Sequence, residues 1–230
     1  MSTYLIIGAS SGIGEQVAKQ LTAAGHTVYA TYHTHPLSDA SIQYHPLNAL
    51  EDNIQLNFLP PVLDGLVYCP GSISLKPFAR IAPEDFTKDY QLQVVGAIKT
   101  IQAALPHLKA SNNASIVLFS TVAVQLGLNF HSMVASSKGA IEGLTKALSA
   151  ELAPSIRVNC IAPSLTNTPL AAALLNTDQK IEANAQRHPL KRIGSSLDIA
   201  NAVEFLLTDK SSWVTGQILH IDGGMSTVKL

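Results

Sequence analysis

The sequence predicts a single α/β domain spanning residues 1–230, a doubly wound parallel sheet with helices on both faces. Three observations predict it. Short apolar runs alternate with segments of helical period along the whole chain. The first apolar run breaks into a glycine-rich turn that opens a helix. Hydrophobic residues make up 47% of the chain and charged residues only 13%, the balance of a large buried core.

The elements follow in order. Tyr4-Leu5-Ile6-Ile7 is apolar throughout and ends at a glycine, as a strand covered on both faces does. Over 13–24, Ile13, Val17, Leu21 and Ala24 share a helix face, and Gly25 closes the helix. Thr27–Thr31 is the second strand. The proline-bearing stretch 32–65 is expected to hold one short strand and one short helix. Leu66-Val67-Tyr68 is a buried strand. Over 84–109 a long helix is expected, with Phe86, Tyr90, Val94, Ile98, Ile101, Leu105 and Leu108 in phase. Ser115–Phe119 reads as a strand, 132–152 as a helix rich in small residues, and Ile156–Ile161 as a strand. Residues 165–190 read as a loop with helical pieces, 197–208 as a helix and Gln217–Ile221 as the last strand.

The totals exclude several classes. A net charge of −1 leaves no basic stripe for nucleic acid and no field for an anionic membrane. No apolar run approaches the roughly 20 residues that span a bilayer, and no cleavage pattern follows residues 4–7. Eight scattered histidines lack paired ligand spacing, so no metal site is expected. Cys69 and Cys160 stand far apart and suit a reducing compartment. A cytoplasmic protein is the expectation.

The chemistry begins at Gly8-Ala9-Ser10-Ser11-Gly12-Ile13-Gly14. Glycines here permit positive φ and close backbone approach to a pyrophosphate. The helix that follows offers unpaired N–H groups to phosphates. After the second strand come Tyr32 and His33, with no acidic residue between Glu15 and Asp39. A carboxylate there would bind a ribose 2′-hydroxyl and repel a 2′-phosphate. Its absence favours NADP over NAD, with Thr31, His33, Thr34 and His35 as hydrogen-bond donors. No Arg or Lys clamps the phosphate.

The G-x-x-x-G-x-G turn resembles that of the short-chain dehydrogenase/reductase family, with Ile7 where the family usually has threonine. The resemblance runs nearly the whole length. Gly71 is the one residue kept from the family's Asn-Asn-Ala-Gly loop. Pro163 and Thr168 match the segment that holds the nicotinamide amide, with Ser164 replacing a glycine. Arg192-Ile193-Gly194 with Asp198-Ile199-Ala200, and Thr215-Gly216 with Asp222-Gly223-Gly224, match the C-terminal signatures. The resemblance implies that Gly8, Ser10, Ser11, Gly12, Ile13 and Gly14 line the cofactor. It implies the same for Tyr32, His33, Asn48, Gly71, Lys138, Pro163 and Thr168.

The same resemblance exposes a gap. The family works with Asn, Ser, Tyr and Lys, the last two at i and i+4 on one helix face. Lys138 matches, but four residues earlier stands Val134, and all six tyrosines lie at or before Tyr90. Thr121, with Ser120 beside it, falls at the serine position and Gln93 at the asparagine position. His131, three residues before Val134 and seven before Lys138, is the candidate substitute acid; its alternative is a polar residue at a helix start. Two functions follow. One is an NAD(P)-dependent oxidoreductase acting on a carbonyl or alcohol, with Thr121, Ser120, Lys138 and His131 at its centre. The other is a cofactor-binding homologue without turnover, a sensor or assembly partner. The resemblance further implies a homodimer or homotetramer packed through 84–109 and 132–152, and a lid at 165–190 with Leu165, Leu170, Leu174 and Leu175 as an apolar wall.

Overall fold

A computed structural model describes residues 1–229. It opens with β1 (Thr3–Ile7), α1 (Gly12–Ala23), β2 (Thr27–Tyr32), β3 (Gln43–Pro46) and β4 (Gly65–Tyr68). Next come α2 (Pro83–Tyr90), α3 (Gly96–Lys109), β5 (Ala114–Phe119), the single turn α4 (Ala123–Leu126), α5 (Ser132–Leu152) and β6 (Ile156–Pro163). The chain continues through β7 (Thr166–Asn167), α6 (Asp178–Gln186), β8 (Gly194–Ser195), α7 (Ser196–Leu207) and β9 (Ile218–Ile221). Among the described residues the main sheet has seven strands in the order β3-β2-β1-β4-β5-β6-β9, all parallel.

Side-chain alternation along the strands builds two cores. Leu5 and Ile7 of β1, with Ile116 and Leu118 of β5, face Ile101, Leu108 and Ile141 of α3 and α5. Tyr4 and Ile6, with Val117 and Phe119, face Val17 and Leu21 of α1 and Ile199 and Val203 of α7. Strands covered on both faces favour apolar residues at nearly every position, as in β1 and β4. Strands β5 and β6 also bury Ser115, Arg157 and Asn159, each hydrogen-bonded, to the Leu206 carbonyl (Ser115 and Arg157) or the Val214 carbonyl (Asn159).

Two expectations need correction. No short helix forms between β3 and β4 among the described residues: Pro60 and Pro61 and a run of turns carry the chain across. Leu56 and Leu63 are buried without a helical face to organise them. The helix expected over 84–109 is interrupted by a wide π turn at Gln91–Val95. The Tyr68 hydroxyl from the sheet donates to the Leu92 carbonyl inside that turn at 2.6 Å. Such turns push a side chain inward, and here Gln93 is only 1% exposed.

The order reverses between β1 and β4. Ligands of such sheets gather at the carboxyl ends of the strands around that point.

Candidate active site

The loops after β1, β4, β5 and β6 surround a cavity of about 480 Å³, inside the range of small-molecule sites. At its entrance lies the glycine-rich turn. Gly8 (φ 75°) and Gly12 (φ 58°) hold left-handed conformations. A Cβ on Gly14 would collide with the Gly8 carbonyl oxygen. Ser11, extended at the start of α1, makes no capping bond with its side chain, so first-turn N–H groups stay free. This cradle fits the diphosphate of a dinucleotide. Ile13 lines the cavity, and Gly12 packs close to Thr168.

The loops after β2 and β3 lie further along the same edge. Thr31 is buried, and its hydroxyl oxygen accepts from the Gly8 N–H at 3.1 Å. It stabilises the turn and does not reach outward to a phosphate, contrary to the expectation for that residue. His33, Thr34 and His35 are exposed and Tyr32 is half-buried. Asn48 follows β3 and accepts from the Leu50 N–H at 3.0 Å, shaping the loop beside the β2 end.

The inner end of the cavity is lined by Gly71, Ser120, Thr121, His131, Val134, Lys138, Pro163 and Thr168. Residues from four separate stretches of sequence therefore meet there. Ser120 is turned to Glu142, donating to its carboxylate at 2.5 Å; Thr121, also in the lining, accepts from the Ala123 N–H at 3.3 Å and donates to no protein group among the described residues. Lys138, half-buried on α5, has its pKa held down to about 8 by burial; Cys160, Asp89 and Cys69 oppose that shift. Gly71 leaves room at this point: an added Cβ would sit 3.8 Å from the Lys138 ammonium and 3.4 Å from Gln93 Oε1. Val134 is 6% exposed in the wall, one helical turn before Lys138. His131 precedes the first residue of α5 and lines the cavity from the helix start. Its Nδ1 donates to the Asn129 carbonyl at 2.7 Å.

Sequence reasoning missed two polar groups. Behind Gln93 stands Asp89, 5% exposed. Its carboxylate accepts from Gln93 Nε2 at 2.8 Å, from Ser137 Oγ at 2.6 Å and from the Ser72 hydroxyl. Because the Gln93 amide nitrogen is committed, its Oε1 faces away and has no protein partner among the described residues. The second group is Ser164 with His188, a residue 3% exposed. No local signal marks either: the partners come from segments 48 and 24 residues apart.

Of the four leucines expected as an apolar wall, Leu165, Leu170 and Leu174 line the cavity, while Leu175 is buried away from that lining. No described helix is long and apolar enough to cross a membrane, and no described cluster has the make-up of a metal site.

A parallel sheet with a glycine turn at its switch point and a Thr–Lys cavity defines a nucleotide-cofactor α/β protein of the dehydrogenase type. The family described as enoyl-(acyl carrier protein) reductase matches residues 46–226. L-xylulose reductase of Bos taurus is 33% identical, the match covering 96% of this chain and 94% of that protein. Ligand-free aldohexose dehydrogenase of Thermoplasma acidophilum superposes with a TM-score of 0.89 at 25% identity, covering 99% of this chain and 95% of the other. The structure of ElxO with NADP bound gives 0.88 at 25% identity, covering 99% and 100%. The chain belongs to the short-chain dehydrogenase/reductase family of nicotinamide-dependent oxidoreductases.

Proposed function

We propose that this protein is an NADP(H)-preferring oxidoreductase acting on a carbonyl or alcohol substrate. The observation that carries the reading is the convergence of Thr121 and Lys138 on one cavity that continues to the glycine-rich turn. A nicotinamide supplies or accepts hydride when bound. Lys138 would bind its ribose hydroxyls, Thr121 would hold the substrate oxygen, and Ser10, Ser11 and the α1 N-terminus would hold the diphosphate. Pro163 and Thr168 would hold the nicotinamide amide. The preference for NADP rests on the absence of a carboxylate after β2, where the exposed His33 and Thr34 are free to donate to a phosphate. Valine carries no acidic proton, so proton exchange falls to another group of the cavity. The imidazoles available are His131 and His188.

Val134 itself favours a second reading, a cofactor-binding protein without turnover. One experiment separates the two. NADPH consumption is followed against a broad panel of carbonyl compounds for the wild type and for Val134→Tyr, with NADPH and NADH affinities measured by fluorescence. The oxidoreductase reading expects wild-type turnover and tighter binding of NADPH. Turnover in the tyrosine variant alone would favour the cofactor-binding protein.

A further inference from the structure

The cavity lacks the phenol at residue 134, and it holds a hydroxyl at a position where the family keeps glycine. Ser164 follows the end of β6, and its Oγ lies 2.8 Å from His188 Nε2. On the other side of that ring, Nδ1 lies 2.8 Å from the Asn184 carbonyl oxygen in α6. A carbonyl has no proton to give, so Nδ1 carries the hydrogen. In the neutral ring Nε2 is therefore an acceptor and Ser164 donates to it. In the imidazolium Nε2 donates to Ser164, whose own hydrogen is then free of the ring; it rests on Met225 Sδ, 3.1 Å from Oγ and itself in the cavity wall, a weak acceptor that a substrate oxygen would displace. The Asn184 carbonyl accepts from Nδ1 in both states, so the ring need not move. This is the arrangement of an acid–base pair whose outer partner is a hydroxyl and whose inner partner is a buried, oriented imidazole.

Ser164 is also close to where a substrate oxygen would be held. Strands β5 and β6 are neighbours in register, Phe119 beside Ile161. The Val122 N–H donates to the Pro163 carbonyl at 3.1 Å, tying together the two loops that carry Thr121 and Ser164. Both residues line the same cavity, as does His188. His131 differs: it is less enclosed, its ring is anchored to its own loop, and among the described residues no hydroxyl bonds to the ring.

We infer that Ser164 and His188 form the proton relay that takes over from the missing tyrosine, an inference that rests on the oxidoreductase reading above. As hydride reaches the carbonyl carbon, the C=O π pair moves onto oxygen. That oxygen takes the proton of Ser164 Oγ, and Oγ takes the proton of His188 Nε2. His188 is left neutral, with its Nδ1 hydrogen still on Asn184, and regains a proton from water. One hydride and one proton are consumed per alcohol formed. Ser164 is the catalytic residue and His188 the positioning residue behind it.

The test measures kcat and KM for NADPH oxidation, at saturating NADPH and varied carbonyl substrate, in wild type, Ser164→Ala, Ser164→Thr, His188→Gln, the Ala/Gln double variant and His131→Ala. The relay expects Ser164→Ala and His188→Gln each to lower kcat by about 10²–10⁴-fold, the usual worth of acid–base catalysis. KM, NADPH affinity and melting temperature stay near wild type. The double variant is no slower than the slower single variant, because the pair acts as a unit. Ser164→Thr, which keeps the hydroxyl, retains most of the rate. The nitrogen-15 spectrum of the imidazoles adds a readout independent of turnover, in which the neutral His188 ring carries its hydrogen on Nδ1. A normal rate in Ser164→Ala, or a large loss confined to His131→Ala, overturns the relay and leaves the oxidoreductase reading standing. Bound NADPH with no turnover of any carbonyl by wild type overturns both.

Discussion

Lys138 is the residue whose physical state ties stability to function. Burial is the first cause of its low pKa, about 8 against the ordinary 10.5. Between those values the unfolded chain holds the proton more firmly than the folded one. The folded state therefore carries a penalty that is full below pH 8 and fades as pH rises toward 10.5. We expect Lys138→Met to raise the melting temperature at pH 7, with the gap to wild type closing by pH 10, as read by calorimetry. The same variant is expected to bind NADPH more weakly in a fluorescence titration, because the ribose loses its cation. An unchanged melting temperature at pH 7 would mean that the ammonium is well solvated. Lys138 and Thr121 are legible in the sequence because each sits inside a short motif next to a strand or helix. Asp89 and His188 are not, because what makes them matter is a partner far along the chain.

Among the elements, α7 has the most explicit start signal. Ser195 Oγ accepts from the Asp198 N–H at 3.2 Å, and Asp198 accepts from the Ser195 N–H at 2.8 Å, a capping box. Arg192 adds two bonds of 2.7 Å to the same carboxylate. These Arg192 hydrogen bonds, then that from Ser195, hold the Asp198 carboxyl well below its ordinary 3.8. The stabilisation is present above about pH 4 and disappears as acid protonates the group. Loss of the cap in Asp198→Ala should destabilise the fold by about 1 kcal/mol. That lowers the melting temperature by about 2–4 °C at pH 7, with a smaller difference at pH 3. The effect is not confined to one helix, because α7 packs on α1 and Gln20 of α1 donates to Glu204 of α7 at 2.7 Å. The π turn between α2 and α3 is the opposite case. Helical periodicity over 84–109 is intact in the sequence, and nothing local announces the widened turn. It is met by a hydroxyl from β4 and seats Gln93 over the buried Asp89.

For the whole molecule, the open question is association. Helices α3 and α5 bury one face on the sheet, while Ile98, Leu105, Leu144 and Leu148 remain only partly covered. Half-covered apolar residues on two long neighbouring helices suit a self-complementary contact with closed symmetry. We propose a homodimer or homotetramer built through these faces. Light scattering at micromolar concentration should return a mass of two or four chains, against 24.4 kDa for one. Substitution of Leu144 and Leu148 by Glu should shift that mass to a single chain. A monomer in the wild type would overturn the proposal.

The sequence alone determined the alternation of strands and helices, the glycine turn, the identities of Thr121 and Lys138, and a valine at residue 134, four residues before Lys138. Those features are written in local period, in backbone freedom at glycine and in short spacings, all of which survive in one dimension. The tertiary structure alone decided that Ser120 turns to Glu142, that Thr31 stabilises the turn, and that Gln93 rests on a buried carboxylate. It also brought Ser164 against an imidazole 24 residues away. Hydrogen bonds between buried polar groups depend on which segments the sheet makes neighbours. Parallel strands joined by long crossovers make those neighbours distant in the chain.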